Sequence, residues 1–426
     1  MLRTFIRKLQ ENNTLTDVTS SVSPVFEAPS MAVSNHPTLF HDIDGCQAVM
    51  NVLGTRDALA MALGIKKEDM VSRLSGVKAD GNVKIVTQSP TLEVISEPDL
   101  ARFPIMTHFE HDGGPYITAG IVVSEYNGVM NASIHRLMVM GHDKLAVRLV
   151  PPRHTYMLHK QAAAKGERLP VAIVLGPHPL IEFAVSTRVG EGEEFRYASA
   201  LLGRDIELFE CENGIKVPHA EIVLEGYIEP EEVVDEGPFV DISGTYDIVR
   251  PAPVITLTRM MHRKNPIYRG LLPGGAEHRL LMGVPYEPKI FAAVSQVTKV
   301  KNVVLTEGGC CYFHAVVQID KQTEGDGKNA IMAAFAAHTS LKHVVIVDDD
   351  IDIFDPSDIE FAIATRVKGD MDLMIVTNVR GSSLDPRGAP DGTVTKVGID
   401  ATKVLVEAEK FERAKIPDVS AKVHKG

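Results

Sequence analysis

KVPHAEIVLEGYIEP, Lys216 to Pro230, sets β-branched and apolar residues between the turn-forming residues Pro218 and Pro230. Five companions share its region: AGIVVSE from Ala119, KLAVRLVPP from Lys144, LPVAIVLGPHP from Leu169, IELFECENG from Ile206 and APVITLTRMMH from Ala252. Short β-rich runs separated by Gly, Pro and Asn predict a mainly antiparallel sheet or barrel. The texture begins near Phe103, and a helix is expected near QAAAKGE at Gln161.

The flanks read differently. Before Phe103, RDALAMALGI (Arg56 to Ile65) predicts a helix and NVKIVTQ (Asn82 to Gln88) a strand, which together make a small α/β unit. The opening MLRTFIRKLQENN predicts a short amphipathic helix. Beyond Val297, strand-like VKNVVLTE, FHAVVQID, HVVIVDDD and DLMIVTN alternate with helical GKNAIMAAFAAHTSLK and DPSDIEFAIATRV. Asp355 caps the last of these, with Pro356 in its first turn. Such alternation predicts an α/β domain with helices packed on a sheet. The Gly- and Pro-rich run Arg263 to Pro288 reads as a linker, and a polar tail after Lys415 is expected to fray. The expected division is residues 1–102, 103–262, a linker 263–296 and 297–426.

Composition narrows the function classes. With 426 residues, 44% of them hydrophobic, the chain can bury large cores. Its 56 acids and 44 bases are spread along the sequence, and the net charge of -12 argues against nucleic acid as a partner. Four cysteines without C-x-x-C or finger spacing fit a reducing cytoplasm. The N-terminus lacks the apolar core of a signal peptide, and no run approaches the roughly 18 apolar residues of a membrane span.

Several residues could carry chemistry. Asn131, His154 and Glu194 offer oxygen, nitrogen and oxygen donors that suit Mn²⁺ or Mg²⁺ better than zinc. Arg136 lies five residues after Asn131, so on a regular strand the two face opposite sides unless a turn or bulge intervenes. In EGPFVD, Glu236 to Asp241, the plain reading is a solvated acidic turn. The alternative is that Pro238 stiffens the backbone and Gly237 permits close approach, so that both acids converge on an arginine. One would then stay ionised while its desolvated neighbour keeps a proton for general-acid work. TEGDGKNA fails as a phosphate loop, because Gln322 stands where the first glycine belongs and Asn329 where the hydroxyl belongs. DDDID, Asp348 to Asp352, is either a cation site or an acidic turn before a helix. His262, Arg263, Lys264, Arg269, His278 and Arg279 form either a solvated hinge or a basic patch for an anionic substrate.

Together the ordered motifs PTLFHDIDG, NASIHR, PPRH, AEIVLEGYIEP, EGPFVD, LPGGAEHRLLMG, CCYFHAVVQIDKQ, VIVDDDIDIFDPSDIEFAIATRV and KVGIDAT resemble the UbiD family of reversible decarboxylases. The resemblance runs through most of the chain. It implies a multidomain α+β and α/β fold: a central split β-barrel that binds flavin, an N-terminal α/β unit and a C-terminal α/β domain that mediates dimerisation. It implies prenylated FMN, Mn²⁺ held by Asn131, His154 and Glu194, and a K⁺ ion beside the cofactor phosphate. Flavin-binding positions carried over are Ile134, His135, Arg136, Arg148, Leu149, Val150, Arg153 and His154. The implied catalytic set is Arg136, Glu236 and Asp241, with Asp241 as proton donor. Glu194 is chosen over Glu193 by alignment to an E-x-x-x-A-G pattern, from which Ser199 departs.

The implied reaction is reversible, non-oxidative decarboxylation of an α,β-unsaturated acid through a covalent flavin adduct, because a side-chain-only site offers no comparable electron sink. The length and the LPGGAEHRLLMG segment look most like archaeal-type members, some of which decarboxylate trans-anhydromevalonate 5-phosphate in isoprenoid synthesis. A 4-hydroxybenzoate-like acid is the alternative substrate. A non-catalytic flavin-binding protein and a metal-dependent hydrolase are the readings from other classes. The implied partners are a small carboxylic acid, a prenyl-flavin synthase that supplies the cofactor, and a second copy of the chain.

Overall fold

A computed structural model of the chain describes residues 1–389 and 391–414. The tail expected to fray after Lys415 lies outside the described residues. At the centre six strands close on themselves: β1 (Tyr116–Tyr126), β2 (Val129–Val139), β3 (Lys144–Val147), β4 (Leu169–Leu175), β5 (Ile222–Glu236) and β6 (Arg250–His262). The order is β5-β4-β1-β2-β3-β6, and β6 pairs back onto β5 to complete the barrel. Every neighbouring pair is antiparallel. Short Val94–Ser96, from the segment expected in the N-terminal unit, also pairs with β6.

The wall is two-sided, which explains why its strands read as apolar runs more than as alternations. Along β1, Ile121 and Val123 join one core while Val122 joins the other. Along β4, Ala172 and Val174 face the first core, and Val171 and Ile173 the second. Helices α1 (His154–Ala163), α2 (Pro179–Ser186) and α3 (Glu194–Leu202) lie in the barrel's connections. One expected barrel strand goes elsewhere: Ile206–Glu210 pairs with Val83–Ile85 and Lys216–Pro218 in a small separate sheet.

The N-terminal helix Leu2–Glu11 buries Leu2, Phe5, Ile6 and Leu9, as its periodicity predicts. Arg3 at its start donates to Glu221 at 2.9 and 2.6 Å. The helix expected at RDALAMALGI spans Arg56–Leu63, with the Thr55 side chain accepting from the Ala58 N–H.

The stretch 263–296 is not a linker but folded chain. Ile267–Arg269 pairs in parallel with Cys46–Met50 and completes the N-terminal sheet. It continues into α4 (Ala276–Gly283) and α5 (Glu287–Val294). Its glycines and prolines serve as helix punctuation: Gly275 is the N-cap of α4, and Pro288 sits in the first turn of α5. Arg269 is fully buried against two fully buried glutamates, Glu182 of α2 at 2.9 Å and Glu277 of α4 at 2.7 Å. The expected basic cluster therefore disperses, and only His278 and Arg279 of its members come near the acids described below.

The C-terminal region is a five-stranded mixed sheet between helices Asp326–Ala337 and Pro356–Arg366. Asp355 caps the latter, accepting from the Ser357 N–H at 2.9 Å. DDDID is an ion-paired turn: Arg366 donates to Asp348 at 2.7 Å and to Asp350 at 2.9 Å. At the rejected phosphate loop, the Asp326 carboxylate itself accepts from the Gln322 N–H at 2.8 Å.

Candidate active site

Arg136 leaves β2 opposite an irregularity in its neighbour. The β1–β2 register shifts between Ile117 and Gly120, so an extra stretch of β1 faces Arg136. Asn131 sits in the regular ladder opposite Ser124, not in a turn. Within β2 no turn or bulge separates the two residues: the Asn131, Ser133 and His135 side chains bond along one face, and Arg136 belongs to the other.

The Arg136 guanidinium reaches the end of β5, donating from Nε to Glu236 Oε1 at 2.9 Å and from Nη2 to Oε2 at 2.8 Å. This is the planar two-point geometry that makes Arg–carboxylate pairs strong. Glu236 is fully buried, and the Tyr116 hydroxyl donates to its Oε1 at 3.0 Å. Burial and then the Glu236 charge push the Tyr116 phenol far up, so it stays protonated as that donor. The Phe239 ring lies 4.8 Å under the guanidinium carbon. Asp241 Oδ2 stands 3.7 Å from Nη1, an ion pair beyond hydrogen-bond length.

The turn between the acids is built for closeness. Gly237 adopts φ +108°, a conformation that strains side-chain-bearing residues. Opposite it, a Cβ on Gly113 would meet the Gly237 carbonyl oxygen at 2.3 Å, while the Gly113 N–H donates to the Pro238 carbonyl at 2.9 Å. Helix α4 grips the far side: Arg279 Nε donates to the Ile242 carbonyl at 2.9 Å. His278 Nδ1 accepts from the Gly274 N–H at 3.1 Å, and burial holds its ring below the usual histidine range although the Asp241 charge opposes this.

The expected flavin segments are contiguous. The Arg148 N–H donates to the Arg136 carbonyl at 3.3 Å, and His135 Nδ1 bonds the Arg148 carbonyl at 3.0 Å. The Arg153 N–H donates to the Val150 carbonyl at 2.8 Å, and Arg153 is the N-cap of α1 without a side-chain cap. Ile134 is half-buried beside them and Leu149 buried, while Val150 is exposed. At the far end Asn131 Oδ1 lies 3.2 Å from His154 Nδ1, while its amide donates to Thr155 at 2.9 Å.

Glu194, first residue of α3, is buried with Oε2 lacking any partner. Burial, with Glu193 and Glu191 nearby, pushes its carboxyl up to about 7 against the Glu194 and Ala132 backbone N–H groups. An orphaned buried carboxylate beside the strand of Asn131 fits a cation's ligand. Glu193 instead accepts from the Gly190 N–H at 3.2 Å, in its own loop. Among the described residues no group of three His, Cys, Asp or Glu side chains is placed to hold a metal, so the trio depends on the Asn131 amide. The surroundings also fit a phosphate. Burial and then the charges of Arg188 and Arg153 hold Lys289 below its usual range, and none of these three cations has an ion-pair partner among the described residues.

Tyr116, Phe239, Asp247, Arg188 and Lys289 were not foreseen. Asp247 touches Arg136 at 3.2 Å across a hairpin, and nothing in TYDIVR marks it. An unpaired lysine in α5 was a legible signal only once 263–296 is known to be folded.

Three family models match along the chain. These are the N-terminal domain of 3-octaprenyl-4-hydroxybenzoate carboxy-lyase over residues 6–77, its Rift-related domain over 84–276 and its C-terminal domain over 279–401. The chain is 69% identical over 98% of its length, and 99% of the relative's, to the anhydromevalonate phosphate decarboxylase of Methanosarcina mazei. It is 40% identical to that of Aeropyrum pernix over 89% of this chain and 88% of the relative. Among solved structures, the UbiD-class enzyme HmfF from Pelotomaculum thermopropionicum in complex with FMN superposes with TM-score 0.95 at 38% identity, covering 99% of this chain and 98% of that one. An evolved dimeric form of that enzyme in complex with prFMN gives TM-score 0.90 at 36% identity, with coverage of 98% and 97%.

Proposed function

The chain belongs to the UbiD family of carboxy-lyases, and from that premise we propose that it decarboxylates trans-anhydromevalonate 5-phosphate with prenylated FMN. The carrying observation is the 69% identity to a decarboxylase of that name, spanning nearly both whole chains. The two-acid clasp on Arg136 supports the same chemistry.

Bound flavin would supply the electron sink for the carbon–carbon bond that breaks. Arg136, fixed by Glu236 from one side and Phe239 beneath, orients the substrate carboxylate's departure. The pair released as CO₂ leaves would be drawn toward that sink, and a proton must then reach the carbon to reclaim it. Asp241 delivers it, being the acid not locked against the guanidinium. Its carboxylate then regains a proton from solvent, so a hydrogen replaces CO₂ at the carbon and no oxidant is needed. Glu236 keeps Arg136 in place and is itself held by the Tyr116 hydroxyl, which donates to its Oε1.

Segments 134–136, 148–150 and 153–154 would form the flavin ledge, acids at one end and His154 at the other. Asn131, His154 and Glu194 would hold Mn²⁺ against the cofactor phosphate, with K⁺ nearby, and Arg153, Arg188 and Lys289 add positive charge there. A cation held by Asn131, His154 and Glu194 would supply positive charge to fix the cofactor phosphate. His154→Ala should cut bound manganese and flavin together by roughly tenfold or more. Metal analysis and the flavin absorbance of purified protein check this, and full metal occupancy would remove His154 from the ligand set.

We also propose a homodimer through the C-terminal sheet. Its edge strand Leu373–Arg380 exposes Ile375 at 62%, and Met371 just before the strand is 64% exposed. Exposed apolar edges of this kind pair or aggregate unless covered. Ile375→Lys should move the sedimentation coefficient to that of a monomer; an unchanged oligomer would place the interface elsewhere. Four free thiols agree with a cytoplasmic setting, and a prenyl-flavin synthase would supply the cofactor. No helix among the described residues is long and apolar enough to cross a membrane.

The test is CO₂ release by protein co-produced with a prenyl-flavin synthase and offered a panel of unsaturated acids. Turnover of a 4-hydroxybenzoate-like acid, and not of the phosphorylated one, would transfer the substrate to the alternative reading. Flavin-loaded protein inactive on every acid would sink the decarboxylase itself.

A further inference from the structure

The Arg136 guanidinium meets three carboxylates, and the third has no role in the reaction as described above. Asp247 lies in the short strand Tyr246–Asp247, paired with Phe239–Val240 so that Asp247 faces Phe239 across the hairpin. Its Oδ2 accepts from Arg136 Nη2 at 3.2 Å and its Oδ1 from Arg250 Nη2 at 2.6 Å. The Ile248 N–H donates to Oδ1 at 2.9 Å, and only 16% of the side chain is exposed. Burial alone would raise the carboxyl, but the Arg250 hydrogen bond and the charges of Arg136 and Arg250 hold it below the usual range.

Two guanidiniums, Arg136 and Arg250, are therefore met by two tightly bound carboxylates, Glu236 and Asp247. Asp241, at 3.7 Å, is left outside the hydrogen-bonded set. Asp247 shares Nη2 with Glu236, while Asp241 faces the other terminal nitrogen, Nη1; without the charge at 247 the guanidinium would be balanced by Glu236 alone and would draw Asp241 in onto Nη1.

We propose that Asp247 is a positioning residue for proton return: by taking the second ion pair of Arg136 it keeps Asp241 unlocked and able to swing toward the carbon that CO₂ has left. The proposal rests on the assignment of Asp241 as the acid. The competing role is purely local, a pair between Asp247 and Arg250 that stiffens the hairpin.

Asp247→Asn keeps the shape and an acceptor oxygen while removing the charge. In flavin-loaded enzyme, normalised to flavin absorbance, kcat should fall about tenfold or more with KM changed less than about threefold, as expected when a step after binding is impaired. The solvent deuterium isotope effect on kcat should rise, because proton return becomes slower than the other steps. Asp247→Glu should recover most of the rate. Arg250→Gln, which leaves Asp247 to Arg136, should stay within about threefold of wild type. A normal kcat in Asp247→Asn overturns the proposal, and so does a fall with an unchanged isotope effect, which is what a hairpin-stiffening role gives. Asp241→Asn measured in parallel separates the two assignments. If it is inactive while Asp247→Asn is normal, only the role of Asp247 fails; if it turns over normally, the acid itself is misassigned.

Discussion

Asp241→Asn, carrying a full complement of flavin and metal, is expected to lose about 10²- to 10⁴-fold in decarboxylation, the usual contribution of a positioned acid. The substitution is gentle to the fold. The Ile242 N–H donates to Asp241 Oδ1 at 2.7 Å, and an asparagine oxygen can accept the same bond. Backbone bonds from Asp241 N–H to the Thr245 carbonyl at 3.1 Å and from Gly244 N–H to the Asp241 carbonyl at 2.8 Å do not involve the side chain. What disappears is a carboxyl group able to take up a proton and pass it to carbon. CO₂ release against bound-flavin absorbance gives the result, and a rate within about tenfold of wild type would take the acid role from Asp241.

Arg269→Met should destabilise the fold by about 3–5 kcal/mol, because it strands two buried carboxylates that one guanidinium now satisfies. Arg269 also contacts Glu182 through Nε at 3.1 Å, and Glu277 Oε1 accepts from the Leu53 N–H at 2.6 Å. The triad thus ties the N-terminal sheet to α2 and α4. Since α4 holds the Ile242 carbonyl through Arg279, activity should decline before global unfolding. A denaturant midpoint equal to wild type would show the triad to be dispensable. The same cluster has a pH signature. Burial pushes Glu182 up to about 7, above the ordinary carboxyl value, against the pull of Arg269. A folded pKa above the unfolded one contributes stability that is present at low pH and is lost as pH rises through the folded value. The midpoint should therefore fall between about pH 5 and 8, and Glu182→Gln should flatten that slope.

Local signals in the sequence were strong where one segment makes its own element. The amphipathic start, the Asp355 cap and the apolar barrel runs are all legible because spacing and capping are short-range properties. IELFECENG was misplaced because a strand's composition does not say which sheet it joins. The stretch 263–296 misled for the opposite reason: its Gly and Pro stand at caps and turns of packed helices, and only burial distinguishes that from a flexible tether. At the site, Arg136, Glu236 and Asp241 were reached through motif order, since residues separated by 100 positions have no local signature of contact. Asp247 had neither motif nor spacing, and its role depends on a hairpin pairing that only three dimensions display.

The helix Leu2–Glu11 carries a consequence for synthesis. Its apolar face packs in the core shared with the barrel's outer side and the helices around it, and Arg3 finds Glu221 some 218 residues later in the chain. At about 5–20 residues per second of elongation, this helix, whose Arg3 is made 218 residues before Glu221, waits on the order of ten seconds or more for its docking surface to exist. Until then four large apolar side chains, Leu2, Phe5, Ile6 and Leu9, have nowhere to go. This corner of the molecule can therefore settle only when its later-made half exists, and until then the nascent chain is open to aggregation or chaperone capture at this helix.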